Sequence, residues 1–152
     1  MNASVIRLWD RYRAINRSAP AEVPVSFHFC DNREDADICA ALVVTGQKRA
    51  TAPSVAELEL AGDPIPQVGD YAIVTDWAGT AVAVIRTASV DIRRFGDVDE
   101  DFARAEGEGD LTLDWWRAAH QAYYESVLAG SGYVVDASLQ IVCERFELVF
   151  KA

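Results

Sequence analysis

One loop of the chain reads Gly46-Gln47-Lys48-Arg49-Ala50-Thr51, and it contains one of only two lysines among 152 residues. The other lysine is Lys151, and the remaining basic positions are twelve arginines. An amine differs from a guanidinium because it loses its proton readily when it is desolvated. The sequence therefore indicates that position 48 uses a property that only an amine supplies.

The residues before this loop predict a helix that ends where the loop begins. A helix from about Glu34 to Thr45 would be capped by Asp31 or Asn32 and end at Gly46. Its buried side is expected to carry Ile38, Cys39, Leu42 and Val43. The lysine loop then begins at a helix C-terminus, whose negative pole favours a protonated lysine, whereas the adjacent Arg49 favours a neutral one.

The rest of the chain predicts helices interleaved with mostly antiparallel strands. This pattern is typical of an α+β domain, and 152 residues suit one domain that covers the whole chain. An amphipathic N-terminal helix is expected within residues 1–18. The predicted helices cover about residues 2–18, 34–45, 54–60 and 112–128, and part of the acidic segment 97–110 is also expected to be helical and to end near Gly107. The predicted strands cover 25–29, 71–76, 81–92 and 139–150.

Composition and charge exclude several classes of protein. The chain has 51% hydrophobic residues and no apolar stretch near the roughly 20 residues that span a bilayer, so no membrane partner is expected. The N-terminus lacks a signal-peptide pattern, which makes a cytoplasmic location the default. A net charge of −10 argues against a sequence-independent grip on nucleic acid, but a small basic pocket remains compatible with it. The three cysteines have no metal-ligand spacing and are expected to be reduced, buried thiols.

Two places in the sequence carry residues of the types that bind metal ions. His28 and His120 have no third partner at ligand spacing, so no zinc site is predicted. The acidic run from Asp97 to Asp110 could hold Mg or Mn through carboxylate oxygens, although a solvated acidic loop fits the same pattern better.

Four segments in order resemble the ASCH domain family (activating-signal cointegrator homology) over about residues 25–151. This resemblance implies a PUA-like, mostly antiparallel β-barrel flanked by helices, to which the N-terminal helix is an addition. It also implies a cleft, lined by the lysine loop, for RNA or a modified nucleoside. The segments are Gly46–Thr51, Val68–Asp70, Ala105–Asp110 followed by Leu113–Trp116, and Val142–Phe146.

The resemblance carries candidate catalytic roles to three residues. One branch of the family consists of small amidohydrolases that deacetylate N(4)-acetylcytidine, and the matching residues would be Lys48 as proton acceptor, Thr51 as nucleophile and Glu108 as proton donor. Other, longer members look like ribonucleases that cleave single-stranded RNA, and a third group would bind RNA or a modified base without catalysis. From the residues alone, Thr51 is equally an N-cap for the following helix, and a charged Lys48 would act as an anion clamp.

Further residues are candidates for ligand binding. Arg49 is either a phosphate ligand or a surface charge, and Glu106 is a second carboxylate beside Glu108. One ring of the Trp115-Trp116 pair must point away from the helix face of the other, and we assign Trp116 to stacking on a base. The N-terminal helix is a candidate surface for a homodimer. The role left open for Arg49 is equally open for Arg33, Arg86, Arg93, Arg94 and Arg117.

Overall fold

A computed structural model describes all residues from Met1 to Ala152 and contains five α-helices and five strands. The predicted helices are confirmed with ends shifted by a few residues, and the predicted strands 71–76 and 81–92 are present as an antiparallel pair. The helices are α1 Ala3–Ile15, α2 Arg33–Thr45, α3 Val55–Ala61, α4 Glu100–Glu106 and α5 Leu113–Val127. The strands are β1 Ser26–Phe27, β2 Ala50–Thr51, β3 Tyr71–Thr75, β4 Ala81–Arg94 and β5 Gln140–Lys151, and a 3-10 turn covers Phe95–Asp97.

The five strands form one mixed sheet in the order β1-β3-β4-β5-β2. Strand β4 pairs antiparallel with β3 and with β5, whereas β1 runs parallel to β3. The edge strands β1 and β2 do not pair with each other, so the sheet is not closed, and the closed barrel that the resemblance implied is corrected to an open sheet. Each edge strand has only two residues and pairs with one neighbour, β1 with β3 and β2 with β5, which leaves the ring open.

Helix α1 covers one side of the sheet with the apolar face that the sequence predicted. Its N-cap is Asn2, whose side chain accepts a hydrogen bond from the Ser4 amide. Trp9 is fully buried, and the same face packs against β3 and β4. Ile15, which the pattern placed on this face, is exposed because the helix ends there. The buried residues of α1 are Val5, Leu8, Trp9 and Tyr12.

Two local features correct the expectations around the lysine loop. Helix α2 is capped by Asn32 and ends at Gly46, as predicted, but its Ile38 is half exposed. Helix α3 is capped by Ser54, which forms a capping box with Glu57. Thr51 is therefore not the N-cap, because it belongs to strand β2 and lies opposite Glu144 of β5.

The lysine loop lies between two parts of the apolar core. One part, which includes Ala50 and Trp116, joins β2 and β5 to helices α4 and α5. The other, which includes Phe29 and Cys39, joins α2 to the centre of the sheet. A polar side chain between them is removed from water on both sides. None of the helices combines the length and apolarity needed to cross a membrane.

Candidate active site around Lys48

The loop after α2 directs Lys48 into the protein. Gly46 adopts the left-handed conformation that ends the helix, and the Lys48 amide then donates to the carbonyl of Leu42 at 3.1 Å. The next amide, that of Arg49, donates to the carbonyl of Ala105 at 2.8 Å, which ties the loop to the end of α4. As a result the Lys48 side chain is only 2% exposed.

The Lys48 ammonium has an oxygen acceptor for each of its three protons. Nζ lies 2.5 Å from Glu106 Oε2, 2.8 Å from Glu108 Oε2 and 2.8 Å from the carbonyl oxygen of Ala50. The ring of Phe29 lies on another side, with its centroid 4.9 Å from Nζ. The buried charge is thus paired and fully hydrogen-bonded, which is the condition for a stable buried ion.

The carboxylates decide the ionisation of Lys48, a question that the sequence left open. Burial lowers the pKa of the amine, but the attraction of Glu106 and Glu108 outweighs burial and raises the pKa above its ordinary value. The ammonium is therefore the resting form. A proton-acceptor role for Lys48 requires that this proton first move elsewhere.

Glu106 is the structural counterion of the centre. Its side chain is 2% exposed, and its Oε1 faces the indole Nε1 of Trp116 at 3.3 Å and Nε2 of His120 at 3.1 Å. Burial raises the pKa of this carboxyl, but Lys48 and His120 together lower it well below its ordinary value. Glu106 is therefore ionised and held by donors on two sides.

Glu108 is the carboxylate of the centre that reaches solvent. Its side chain is 17% exposed, and Oε1 accepts a hydrogen bond from the Cys39 thiol at 3.3 Å while Oε2 contacts Lys48. A ligand that approaches from the surface would meet this carboxylate before it met Lys48 or Glu106. Glu108 thus connects the buried pair to the outside.

The glycines that flank Glu108 allow two close approaches. Gly107 has φ +74, and a Cβ there would lie 2.4 Å from the backbone oxygen of Gln47. The Gln47 side chain also donates to the Gly107 carbonyl at 2.7 Å. A Cβ on Gly109 would lie 2.1 Å from the ring of Trp115. The first glycine therefore fits the carboxylate segment against the lysine loop, and the second fits it against α5.

The structure gives Trp116 a different role from the one assigned by sequence. Its ring is buried and stacks on His120 with centroids 4.1 Å apart, so it positions Glu106 and has no face open to a base. Trp115, which is 37% exposed, is the ring of the pair that reaches solvent. The prediction that one ring points away is confirmed, but the exposed ring is Trp115.

The structure brings together Lys48, Glu106 and Glu108, whereas Thr51 and Arg49 make no contact with the Lys48 amine. Thr51 is half buried in β2, one residue beyond the carbonyl that accepts from Lys48, and its hydroxyl makes no hydrogen bond to Nζ. Arg49 is exposed on the opposite face of the loop.

Sequence reasoning missed Phe29, Cys39 and His120 as parts of the centre. His120 follows Trp116 by four residues in α5, a spacing that brings side chains together on one helix face, and this was the only available signal. The Cys39 contact with Glu108 joins residues 69 positions apart, and no local pattern predicts such a contact.

Three side chains of the centre could offer ligand atoms to a divalent metal ion. Ligand atoms of Glu106, Glu108 and His120 lie within 4.8 Å of one another. However, Lys48 already donates to both carboxylates, and Mg²⁺ or Mn²⁺ would have to displace that ammonium. The residues therefore fit a lysine-centred site and do not fit a resident divalent ion.

Comparisons with known proteins agree on one family. The ASCH domain family model matches residues 25–150. The crystal structure of an ASCH domain from Lactobacillus crispatus JV V101 is similar at 30% identity with a TM-score of 0.87, covering 98% of this chain and 96% of the other. A protein from Enterococcus faecalis V583 is similar at 30% identity with a TM-score of 0.88, covering 98% of this chain and 90% of the other. No curated protein matches the chain significantly.

Proposed function

The chain belongs to the ASCH domain family, and from this premise we propose that it hydrolyses the acyl amide of a modified nucleoside of the N(4)-acetylcytidine type. The observation that carries the proposal is the 2.8 Å contact between Lys48 Nζ and Glu108 Oε2. This contact joins a buried amine to a carboxylate that reaches the surface. Both groups are ones that acid–base catalysis requires.

The charges at the centre favour an amide over a phosphodiester. The positive charge of Lys48 is already neutralised by two carboxylates at hydrogen-bond distance. A phosphodiester would bring a third negative charge and find no uncompensated cation there, whereas an acyl amide is neutral. Cleavage of single-stranded RNA, which the longer family members suggested, has less support from this geometry.

One proton transfer converts the resting pair into the catalytic pair. If the Lys48 ammonium gives its proton to Glu108 along their hydrogen bond, Lys48 becomes a proton acceptor and Glu108 a proton donor. Burial already acts against the charged amine, and a ligand that excludes water from Glu108 acts in the same direction. The resting ion pair is thus compatible with the roles that the family resemblance implied.

The reaction then proceeds through an acyl enzyme in our proposal. Neutral Lys48 removes the Thr51 hydroxyl proton, Oγ1 forms a bond to the acyl carbon, and the amide C–N bond breaks as Glu108 protonates the leaving amine. Water then hydrolyses the threonyl ester and releases acetate. Thr51 needs a shift of its side chain toward Nζ, because its hydroxyl makes no hydrogen bond to Lys48 in the unliganded protein.

The experiment measures release of cytidine from N(4)-acetylcytidine by chromatography. Lys48→Arg retains the charge but not the acid–base property, so we expect turnover to fall by roughly 10²-fold or more, and Glu108→Gln to do the same. Lys151→Arg is the matched control because Lys151 is the only other lysine and is exposed. Full activity in Lys48→Arg would contradict the proposed acid–base role of Lys48.

A second candidate is a non-catalytic reader of RNA or a modified base. It is favoured by the protein oxygens around Nζ, which are the carbonyls of Ala50 and Glu106 and the carboxylates of Glu106 and Glu108 and which hold Lys48 in the charged form. In that case N(4)-acetylcytidine or single-stranded RNA would bind saturably without turnover, and Lys48→Arg would weaken binding only modestly. A labelled single-stranded RNA in the same assay separates strand cleavage from both candidates.

A homodimer through the N-terminal helix is a separate proposal about assembly. Trp9 is buried in the core of its own chain, which leaves Ile6 and Ile15 as the exposed large apolar residues of α1. Light scattering on the wild type and on Ile15→Glu tests the proposal. A dimer mass that falls to a monomer mass in the variant supports it, and a monomeric wild type contradicts it.

A further inference from the structure

A groove beside Arg49 has a charge opposite to that of the chain as a whole. It has a volume of about 420 Å³, and its charged lining residues are Arg49, Asp101, Arg104 and Arg145. Three positive charges less one negative charge leave +2 in the groove, whereas the whole chain carries −10. We propose that this groove binds the phosphate group of a nucleotide through its three arginines. Local charge, and not the total, selects such a ligand.

The groove and the Lys48 centre lie on opposite faces of the same two segments, which are the lysine loop and the end of α4. Lys48 is buried while the next residue, Arg49, is exposed, because successive side chains of an extended segment point to opposite sides. On the facing segment Glu106 is buried while Arg104 is exposed. The bond from the Arg49 amide to the Ala105 carbonyl joins the two segments. The sequence pattern that builds the buried centre therefore also builds the groove.

Two of the three arginines are free to bind a ligand. The guanidinium groups of Arg49 and Arg104 take part in none of the ion pairs or side-chain hydrogen bonds of the protein. A guanidinium offers two parallel N–H donors that match the oxygens of a phosphate. Two such groups on one groove can contact different oxygens of the same phosphate.

Arg145 is held in place by contacts that a phosphate can replace in part. Its guanidinium lies over the ring of Phe102, 5.6 Å from the centroid, and Nη2 donates to Asp101 Oδ2 at 2.9 Å. The Asp101 side chain is 73% exposed, and pairs this exposed contribute little to stability. A phosphate that carries more charge than Asp101 would take over this donor while Phe102 keeps the guanidinium in position.

The ligand class is a phosphate carried by a nucleotide, as a free monoester or as a diester of single-stranded RNA. The groove volume falls within the roughly 300–1,000 Å³ of small-ligand sites. Gln47, Ala105 and the buried Phe146 complete the lining, with Gln47 as a polar edge and Phe146 as an apolar floor. The inference does not depend on turnover at Lys48, because the groove lies on the other face of the loop.

The test is calorimetric titration at low salt with cytidine 5′-monophosphate, cytidine, inorganic phosphate and a short oligocytidylate RNA. We expect the monophosphate to bind more tightly than cytidine, and Arg49→Gln and Arg104→Gln each to weaken it roughly tenfold or more. Asp101→Asn should tighten binding several-fold because it removes the competing negative charge. Arg7→Gln, an exposed arginine of α1 outside the groove, is the matched control and should leave affinity unchanged.

The outcomes separate the two sources of phosphate and separate this inference from the proposed function. Binding of the monophosphate and of inorganic phosphate without the oligonucleotide indicates a free nucleotide. An RNA backbone is indicated if the oligonucleotide binds and each arginine variant lowers the salt dependence of its affinity by about one phosphate contact. Unchanged affinity in both Arg49→Gln and Arg104→Gln, or weaker binding in Asp101→Asn, overturns the inference. Lys48→Arg should retain monophosphate binding even if the proposed hydrolysis fails.

Discussion

Lys48 and Glu106 form a buried ion pair, with Nζ 2.5 Å from Oε2 and both side chains 2% exposed. Breaking such a pair by removal of one partner leaves an uncompensated buried charge, whereas replacing both partners with neutral groups does not. The pair therefore stabilises the fold as well as forming the centre. Its two residues come from the lysine loop and from the end of α4.

The losses from removing each partner alone should sum to more than the loss from removing both. We expect Lys48→Met and Glu106→Gln each to lower the free energy of unfolding by about 3–5 kcal/mol. The double variant should lose less than the sum of these two losses. Urea unfolding measures all three, with Lys151→Met as the control for loss of a lysine. Additive losses would contradict a direct pair.

The buried ion pair determines which variants can test the site. Lys48→Ala would leave Glu106 buried without its main counterion. Loss of activity in Lys48→Ala would thus combine unfolding with lost chemistry. Lys48→Arg and Glu108→Gln are the sharper variants because the first keeps the charge and the second changes a partly exposed group.

Stability should also depend on pH through this pair. Glu106 has a folded-state pKa below its ordinary value of 4.5, so its contribution is present above pH 4.5 and is lost as pH falls toward the folded-state pKa. Lys48 has a folded-state pKa above its ordinary value of 10.5, so its contribution is present below pH 10.5 and is lost as pH rises toward the folded-state pKa.

The measurement is the difference in unfolding free energy between the wild type and the Lys48→Met/Glu106→Gln double variant across pH. This difference cancels the titration of groups that do not contact the pair, whereas Glu108 and His120 contact it. We expect it to be constant between about pH 4.5 and 10.5 and to favour the wild type less at both extremes. A difference that does not vary with pH would show that the pair is not ionised in the folded protein.

The sequence predicted the elements well because helix caps and apolar periodicity are local signals. Asn32, Gly46 and Thr112 cap or end helices where the pattern placed them. It predicted Lys48 and Glu108 as partners only through the family resemblance, because contacts between residues 60 positions apart have no local signature. The open sheet was missed for a similar reason, since pairing of two-residue edge strands is decided by tertiary contacts.

The two glycines around Glu108 should differ in their tolerance to substitution. Gly107→Ala would place Cβ against the backbone of Gln47, which cannot move without shifting the lysine loop. Gly109→Ala would place Cβ against the ring of Trp115, a partly exposed side chain that can rotate. We expect Gly107→Ala to cost about 3 kcal/mol or more and Gly109→Ala about 1–2 kcal/mol.

Gly130→Ala is the control for this comparison. Gly130 also has a positive φ, +73, but nothing lies within 4 Å of its would-be Cβ, so only the backbone strain of about 1–2 kcal/mol is expected. Thermal unfolding of the three variants measures the order. Equal losses in Gly107→Ala and Gly130→Ala would mean that the lysine loop accommodates a side chain at position 107.

The thiols should be poorly reactive in the folded protein. A hydrogen bond with Cys30 and, to a smaller extent, burial raise the pKa of Cys39. Burial raises the pKa of Cys143 to about 12. Because the thiolate is the reactive form, we expect neither to react with Ellman's reagent at pH 8. All three cysteines are free and should react in denaturant. Native-state reaction of two or more thiols would contradict this arrangement.

The N-terminal helix should be a required part of the fold, and Trp9 tests this in two steps. Its ring lies 5.3 Å from that of Tyr71 and is fully buried, so we expect Trp9→Ala to cost about 3–5 kcal/mol in the free energy of unfolding. Its indole Nε1 has no hydrogen-bond partner, so Trp9→Phe loses ring area but also removes a buried, unsatisfied donor.

These two effects oppose each other in Trp9→Phe, and we expect a change of only about 1 kcal/mol. Urea unfolding of the two variants measures the difference, and Ile15→Ala, at an exposed position of the same helix, is the control. A loss in Trp9→Phe as large as in Trp9→Ala would show that the indole nitrogen is bonded. A small loss in Trp9→Ala would show that α1 is an appendage, because a side chain outside the core can be truncated at little cost.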